Sequence, residues 1–353
     1  MDMLYSRIKE CVVQKRVLYF DVLNIMACIA VVFLHCNAQV HSYVPESYWA
    51  QSLVVEVLFY WAVPIFLMLT GANNMCYREK YTTKVFLCKR MKKLIVPLMF
   101  WSLFIYMLQS FVFKTNDGFS FVGYLGGVWN NSIEPIYWFF SLIISITLSM
   151  PVLSCLKDNR DVLWYAVIVA FILNCLGPIV FALIGKTWNW GVNIPVLGGS
   201  LIFVVLGYLL ATQDISKKTR HMVYIIALFC LCFRYGQIFI SSSNLGYVDR
   251  ILFNYNSFTA VFPAVAVFLF IKNIDWNKTA LVKYSQKLAI ISGCSFGIFL
   301  IHKILLDYFF IGYLGLTYNR LLIRLVLPVF LYLLSLVIVF TIKKIPCIKN
   351  IVP

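Results

Sequence analysis

The chain has 353 residues, 62% hydrophobic and 17% aromatic against 12% charged, with a mean hydropathy of +0.85. That much apolar side chain exceeds what a soluble core can bury, so composition excludes a water-soluble globular protein and points to an all-α polytopic membrane protein. The formal net charge of +16 raises nucleic acid as a partner, and its placement along the chain decides against that.

Residues 1–18, MDMLYSRIKECVVQKRVL, interrupt their apolar letters with charges and lack a small-residue cleavage site, so they read as a cytoplasmic N-terminal segment lying on the membrane surface. A bilayer asks for roughly 20 apolar residues per helix. Ten segments meet that pattern, near 20–40, 53–72, 94–114, 137–156, 162–184, 193–211, 222–241, 257–272, 289–312 and 320–342. They make one transmembrane domain over 19–345 with a cytoplasmic tail, 346–353, and leave no room for an appended soluble catalytic domain. With the N-terminus inside, the expected outer loops hold only Lys114, Lys186, Arg250 and Arg320. Arg234, Lys303 and Arg324 fall within spans, and the other 23 of the 30 basic residues lie on the inner side. Such asymmetry is the positive-inside rule, and it places both termini in the cytoplasm. The charge is topological, with membrane lipid headgroups as its partner rather than nucleic acid.

Eleven cysteines lie in spans or on the inner side, so no disulfide framework follows. Cys230-x-Cys232 has no nearby histidine or further cysteine at metal spacing, and no metal site is expected.

An ionisable group within a bilayer is costly enough to be a functional-site candidate by default. In the first span, DVLNIMACIAVVFLHCNAQ, the residues Asp21, Asn24, Cys28, His35 and Gln39 fall within about 60° of one another at 100° per residue. They form a polar stripe, with His35 about 16 Å further along the helix than Asn24. His302 and Arg234 reach a similar depth from other spans, and six spans or fewer could enclose these groups around a polar chamber. Each has a plainer reading too: His35 and His302 as interhelical hydrogen-bonding groups, Lys303 and Arg324 as snorkelling side chains, Glu56 as a wet outer-edge residue, and Arg234 as the partner of Glu56 or Asp307.

The first span, FDVLNIMACIAVVFLH, resembles the opening motif of the acyltransferase 3 family of multi-pass membrane acyltransferases, in which an Asp is followed three residues later by Arg and, after ten more, by His. Asp21 and His35 match; the Arg position is Asn24. VPIFLMLTGA (63–72), KRMKKLIVPLMFWS (89–102), YWFFSLIISITLSMPVL (137–153), FVVLGYLLA (203–211) and SFGIFLIHKILL (295–306) follow in the family's order over nearly the whole chain. The resemblance implies an O-acyltransferase that moves an acyl group, usually acetyl, from acyl-CoA to a hydroxyl of a surface or lipid-linked glycan in a bacterial cell membrane. Acetyl-CoA would be a donor substrate, with no bound cofactor.

On that reading His35 is the general base, or the carrier of a transient acyl group. His302, Asn24, Asp21 and Arg234 are candidate supports. Arg90 and Lys93 match an Arg-x-x-Arg element with Lys in second place and would bind acyl-CoA phosphates, although positive-inside charge also explains them. Tyr137 and Trp138 would border the acceptor sugar, or belong to the interfacial aromatic belt. Asn24 keeps hydrogen bonding but loses the family's charge, which suits a slow, divergent or inactive enzyme. The alternative function is a glycan or small-solute transporter or exporter on the same helices.

Overall fold

The run Leu18–His35 forms the first helix, α1, because in hydrocarbon a backbone must satisfy its own hydrogen bonds. It stops at His35, where the chain leaves helical geometry at Asn37 and the Asn37 amide donates to the Ser52 carbonyl at 2.8 Å. The computed structural model describes residues 16–115, 118–188, 197–317 and 321–353. The surface helix expected over the first 18 residues lies almost wholly outside them, as do Arg320 and the start of the sixth expected span.

The helices that follow are α2 (Ser47–Phe59), α3 (Ala62–Asn74), α4 (Thr83–Met107), α5 (Phe121–Trp129), α6 (Trp138–Leu153), α7 (Arg160–Ala170), α8 (Gly177–Leu183), α9 (Leu201–Thr212), α10 (Lys217–Leu245), α11 (Phe258–Lys272), α12 (Ser285–Ile304) and α13 (Leu321–Lys344). Local signals set several boundaries. Thr82 and Ser216 cap α4 and α10 by accepting from the Val85 and Thr219 amides. Gly246, at φ 73°, ends α10 in the left-handed conformation that glycine adopts without strain.

Among the described residues eight stretches are long and apolar enough to cross a bilayer, and the shorter apolar helices α9 and α11 stand at the sixth and eighth expected positions. The chain is thus an all-α polytopic membrane protein. The second expected span is broken into α2 and α3 at Tyr60 and Trp61. Pro64, in the first turn of α3, removes an amide that would have had no intrahelical partner.

Two packing relations position the interior. Asn24, Cys28 and His35 of α1 contact Ser292, Ser295 and His302 of α12, and the offset between partners stays at 267 or 268 residues. A constant offset means that the two helices run parallel and in register, so the polar stripe of α1 is laid against a second polar stripe. The other relation is a backbone contact between α3 and α9. A Cβ at Gly71 would lie 1.8 Å from the Val204 carbonyl oxygen, and one at Gly207 would lie 2.0 Å from that of Met68. Only glycine permits this approach, and α9 is buried there over nearly its whole length.

The last residues are not a free tail. Trp101 of α4 donates its indole N–H to the Ile351 carbonyl at 2.8 Å, and Val352 is completely buried beside Gly297 and Val339. Val352 and the partly buried Ile351 pack the ending against the helix ends, while Ile348 stays exposed.

Candidate functional site

A cavity of about 1060 Å³ runs between the helices, larger than most single small-molecule sites. Its walls carry Arg16, Asp21, Asn24 and His35 from the first helix and the residues before it, Arg90 and Lys93 from α4, and Glu56, Trp138 and Tyr255 from α2, α6 and the segment before α11. One end is basic, and the histidine lies along the wall leading away from it.

At the histidine, Nδ1 of His35 and Nε2 of His302 are 2.6 Å apart, with the rings within 11° of parallel. The other ring nitrogen of His302, Nδ1, lies 2.9 Å from the Ile298 carbonyl. A carbonyl only accepts, so that Nδ1 carries a proton and a neutral His302 presents a bare Nε2. His35 must then donate from Nδ1, which leaves its own Nε2 as the unprotonated nitrogen. His302 is completely buried, whereas His35 faces the cavity. The pair therefore orients one ring and exposes one base, a chain of hydrogen bonds anchored in the backbone of α12.

Towards the basic end, Asp21 accepts two hydrogen bonds from the Arg16 guanidinium, both at 2.8 Å, and Arg16 also donates to the Ala289 carbonyl at 2.6 Å. Asn24 donates to the carbonyl and hydroxyl oxygens of Ser292 at 2.8 and 3.0 Å. Arg90 is held by Asn74 at the end of α3 through a 2.5 Å hydrogen bond, while Lys93 stands exposed one turn later. Two planar guanidinium groups and a flexible ammonium thus line the same cavity, a combination suited to phosphate oxygens.

The family model for an acyltransferase domain, acyltransferase 3, matches residues 17–344. The chain belongs to the acyltransferase 3 family. No curated protein and no solved structure matches it significantly. The chain is accordingly a membrane acyltransferase, and Asp21, Asn24 and His35 of its opening motif line one cavity.

Of the residues singled out in the sequence of this acyltransferase, His35, Asn24, Asp21, Arg90, Lys93 and Trp138 line the cavity. His302 does not, and acts on it through His35. Arg234 is completely buried behind the wall, with its guanidinium carbon 3.4 Å above the centre of the Tyr60 ring and, among the described residues, no hydrogen-bond acceptor for any of its three nitrogens. It makes no ion pair with Glu56 or Asp307; Asp307 pairs with Lys303. Tyr137, expected to border the acceptor sugar, is not among the residues lining this cavity: it is buried, with its hydroxyl donating to the Leu300 carbonyl at 3.0 Å.

Two further expectations change. Arg324 does not snorkel: it is 1% exposed and donates to the Tyr48 carbonyl and to Ser52 and Gln51. Glu56 is 4% exposed and faces the cavity rather than an outer edge. Sequence reasoning missed Arg16 by counting it with the N-terminal basic residues, although it stands five residues before the carboxylate it clamps.

Proposed function

We propose that this acyltransferase transfers an acetyl group from acetyl-CoA to a hydroxyl of a surface or lipid-linked glycan, at the membrane of a bacterial cell with its basic end facing the cytoplasm. The observation that carries the reading is the free Nε2 of His35, set in the same cavity as Arg16, Arg90 and Lys93. The three cations receive the phosphates of the donor, and the thioester reaches along the α1 wall toward the histidine. The acceptor hydroxyl oxygen bonds to the thioester carbonyl carbon as its proton passes to Nε2 of His35. The carbon–sulfur bond then breaks, and the sulfur leaves with the proton that His35 returns.

His302 gives the step its direction. It fixes the tautomer of His35 before the reaction, and its Nε2 accepts from the imidazolium once the proton has moved, spreading the positive charge over two rings. Asn24, bonded to α12, belongs to the scaffold of this wall, and Arg16 supplies a cation beside it.

The test uses purified full-length protein, radiolabelled acetyl-CoA and a set of lipid-linked glycans. Label should move to glycan, and His35→Ala should lower the rate by about 10²- to 10⁴-fold, the contribution of a positioned general base, while the protein stays folded. Undiminished transfer in that variant would remove His35 from the mechanism. Glycan movement across sealed vesicles with no acetyl-CoA requirement would favour transport instead.

A further inference from the structure

The wall beyond His35 contains a carboxylate that the transfer step does not use. Glu56 is buried, lines the cavity, and has neither hydrogen-bond nor ion-pair partner among the described residues. Its carboxylate opens onto the cavity, where a ligand's donors can complete its hydrogen bonding. Arg234 is the nearby cation, but its flat face is spent on Tyr60, one helical turn beyond Glu56.

Behind Tyr60 the stacking continues. Tyr60 and Tyr255 stack at 4.4 Å and 19°, and Tyr255 and Trp138 at 5.9 Å and 20°. Four planar groups, Arg234, Tyr60, Tyr255 and Trp138, therefore form one rigid column contributed by four separate parts of the chain, and three of them border the cavity. Tyr60 and Tyr255 have planar neighbours on both faces, so the column offers the cavity their edges and the outer face of Trp138, which suits the C–H face of a pyranose ring whose hydroxyls donate to Glu56. Arg234, stacked on Tyr60, offsets the charge of Glu56, and Arg250 also lines the cavity, so a cationic ligand is disfavoured and a polyol whose hydroxyls donate to Glu56 is the better match.

We propose that Glu56 is the acceptor-binding carboxylate, accepting hydrogen bonds from hydroxyls of a neutral sugar laid on Trp138 and against the edge of Tyr255, so that another hydroxyl of that sugar meets His35. The proposal rests on the acyl-transfer reading and adds to it the acceptor's class and location.

The experiment measures transfer from acetyl-CoA to p-nitrophenyl glycosides of neutral hexoses and to the lipid-linked glycans, as a function of acceptor concentration, with acetyl-CoA binding recorded separately. Glu56→Gln should raise the acceptor KM about ten- to hundred-fold, the size of one or two hydrogen bonds to a charged group, and leave kcat and acetyl-CoA binding unchanged. Glu56→Asp, which keeps the charge but withdraws it by one methylene, should fall between, and it serves if the Gln variant does not fold. An active wild type whose Glu56 variants keep the same acceptor KM, or lose acetyl-CoA binding in parallel, overturns the role of Glu56 alone. A wild type that acylates none of these acceptors overturns the transfer reading and this proposal with it.

Discussion

The two ends of the cavity are built on opposite plans. At the basic end the working side chains are long, charged and partly exposed: Arg90 and Lys93 sit one turn apart on α4, and the Arg16 side chain is 57% exposed. At the other end His302 and Arg234 are completely buried, Glu56 nearly so, and the column of rings locks their surroundings. At the basic end Lys93 is exposed and hydrated, while Arg16 and Arg90 keep part of their guanidinium donors on Asp21 and Asn74 and part open to the cavity. The buried end holds its geometry beforehand and pays for that in unpaired polar groups. On the proposed reading, capture belongs to the first end and orientation to the second.

The largest effect should come from breaking the element that joins the two ends. Helix α3 begins just after Tyr60 and finishes at Asn74, the partner of Arg90. Gly207→Ala would drive a Cβ to within 2.0 Å of the Met68 carbonyl oxygen in the middle of α3. Backbone cannot yield as a flexible side chain does, so a destabilisation above about 4 kcal/mol is expected. Thermal unfolding in detergent would show it, and donor binding and transfer should be lost together. A Gly207→Ala protein that melts like wild type would show that the α3–α9 contact is looser than this packing implies.

What was legible in the sequence divides along the same line. Helix positions could be read because a bilayer fixes span length, and the polar stripe of α1 because helical periodicity is local. Arg90 and Lys93 could be read because they are neighbours on one helix. The buried end could not, since its groups come from α1, α2, α10, α12 and the segment before α11. Glu56 looked like an edge residue because the apolar count begins near residue 53. The helix in fact starts at Ser47, under a cover formed by Val40, Trp49, Val248 and Leu252. Arg324 misled for a similar reason: its partners Tyr48, Gln51 and Ser52 lie more than 270 residues away in the chain. Tyr137 and Trp138 looked equivalent as an aromatic pair, yet Tyr137 closes the short 3-10 turn Pro135–Tyr137 and Trp138 opens α6, so they point apart and only Trp138 lines the cavity.

A second pair of variants separates the ends without unfolding either. His302→Leu removes the acceptor that holds His35 in its tautomer while filling much of the space, so kcat should fall by about 10²-fold with the KM for acetyl-CoA little altered. Arg90→Ala should do the reverse, raising that KM about tenfold through the loss of a charged hydrogen-bonding group while kcat is kept. Steady-state kinetics in both substrates would distinguish the two. Matching losses of kcat in both variants would mean that the cavity does not divide its work in this way.

The smallest effect is the most specific to the contrast. Lys93 is exposed and, on the proposed reading, meets its phosphate as a hydrated point charge, so Lys93→Ala should weaken acetyl-CoA binding only by the amount typical of exposed ion pairs, up to about 1 kcal/mol or roughly fivefold. The Debye length shrinks from about 10 Å at 0.1 M salt to about 3 Å at 1 M, and the difference between wild type and variant should shrink with it. The defect of His302→Leu should not, because it arises from a hydrogen bond sealed from solvent. Measuring both variants across a salt titration therefore tests the division at its weakest point: a salt-independent Lys93→Ala defect would place Lys93 in a desolvated contact and make the basic end as preorganised as the buried one.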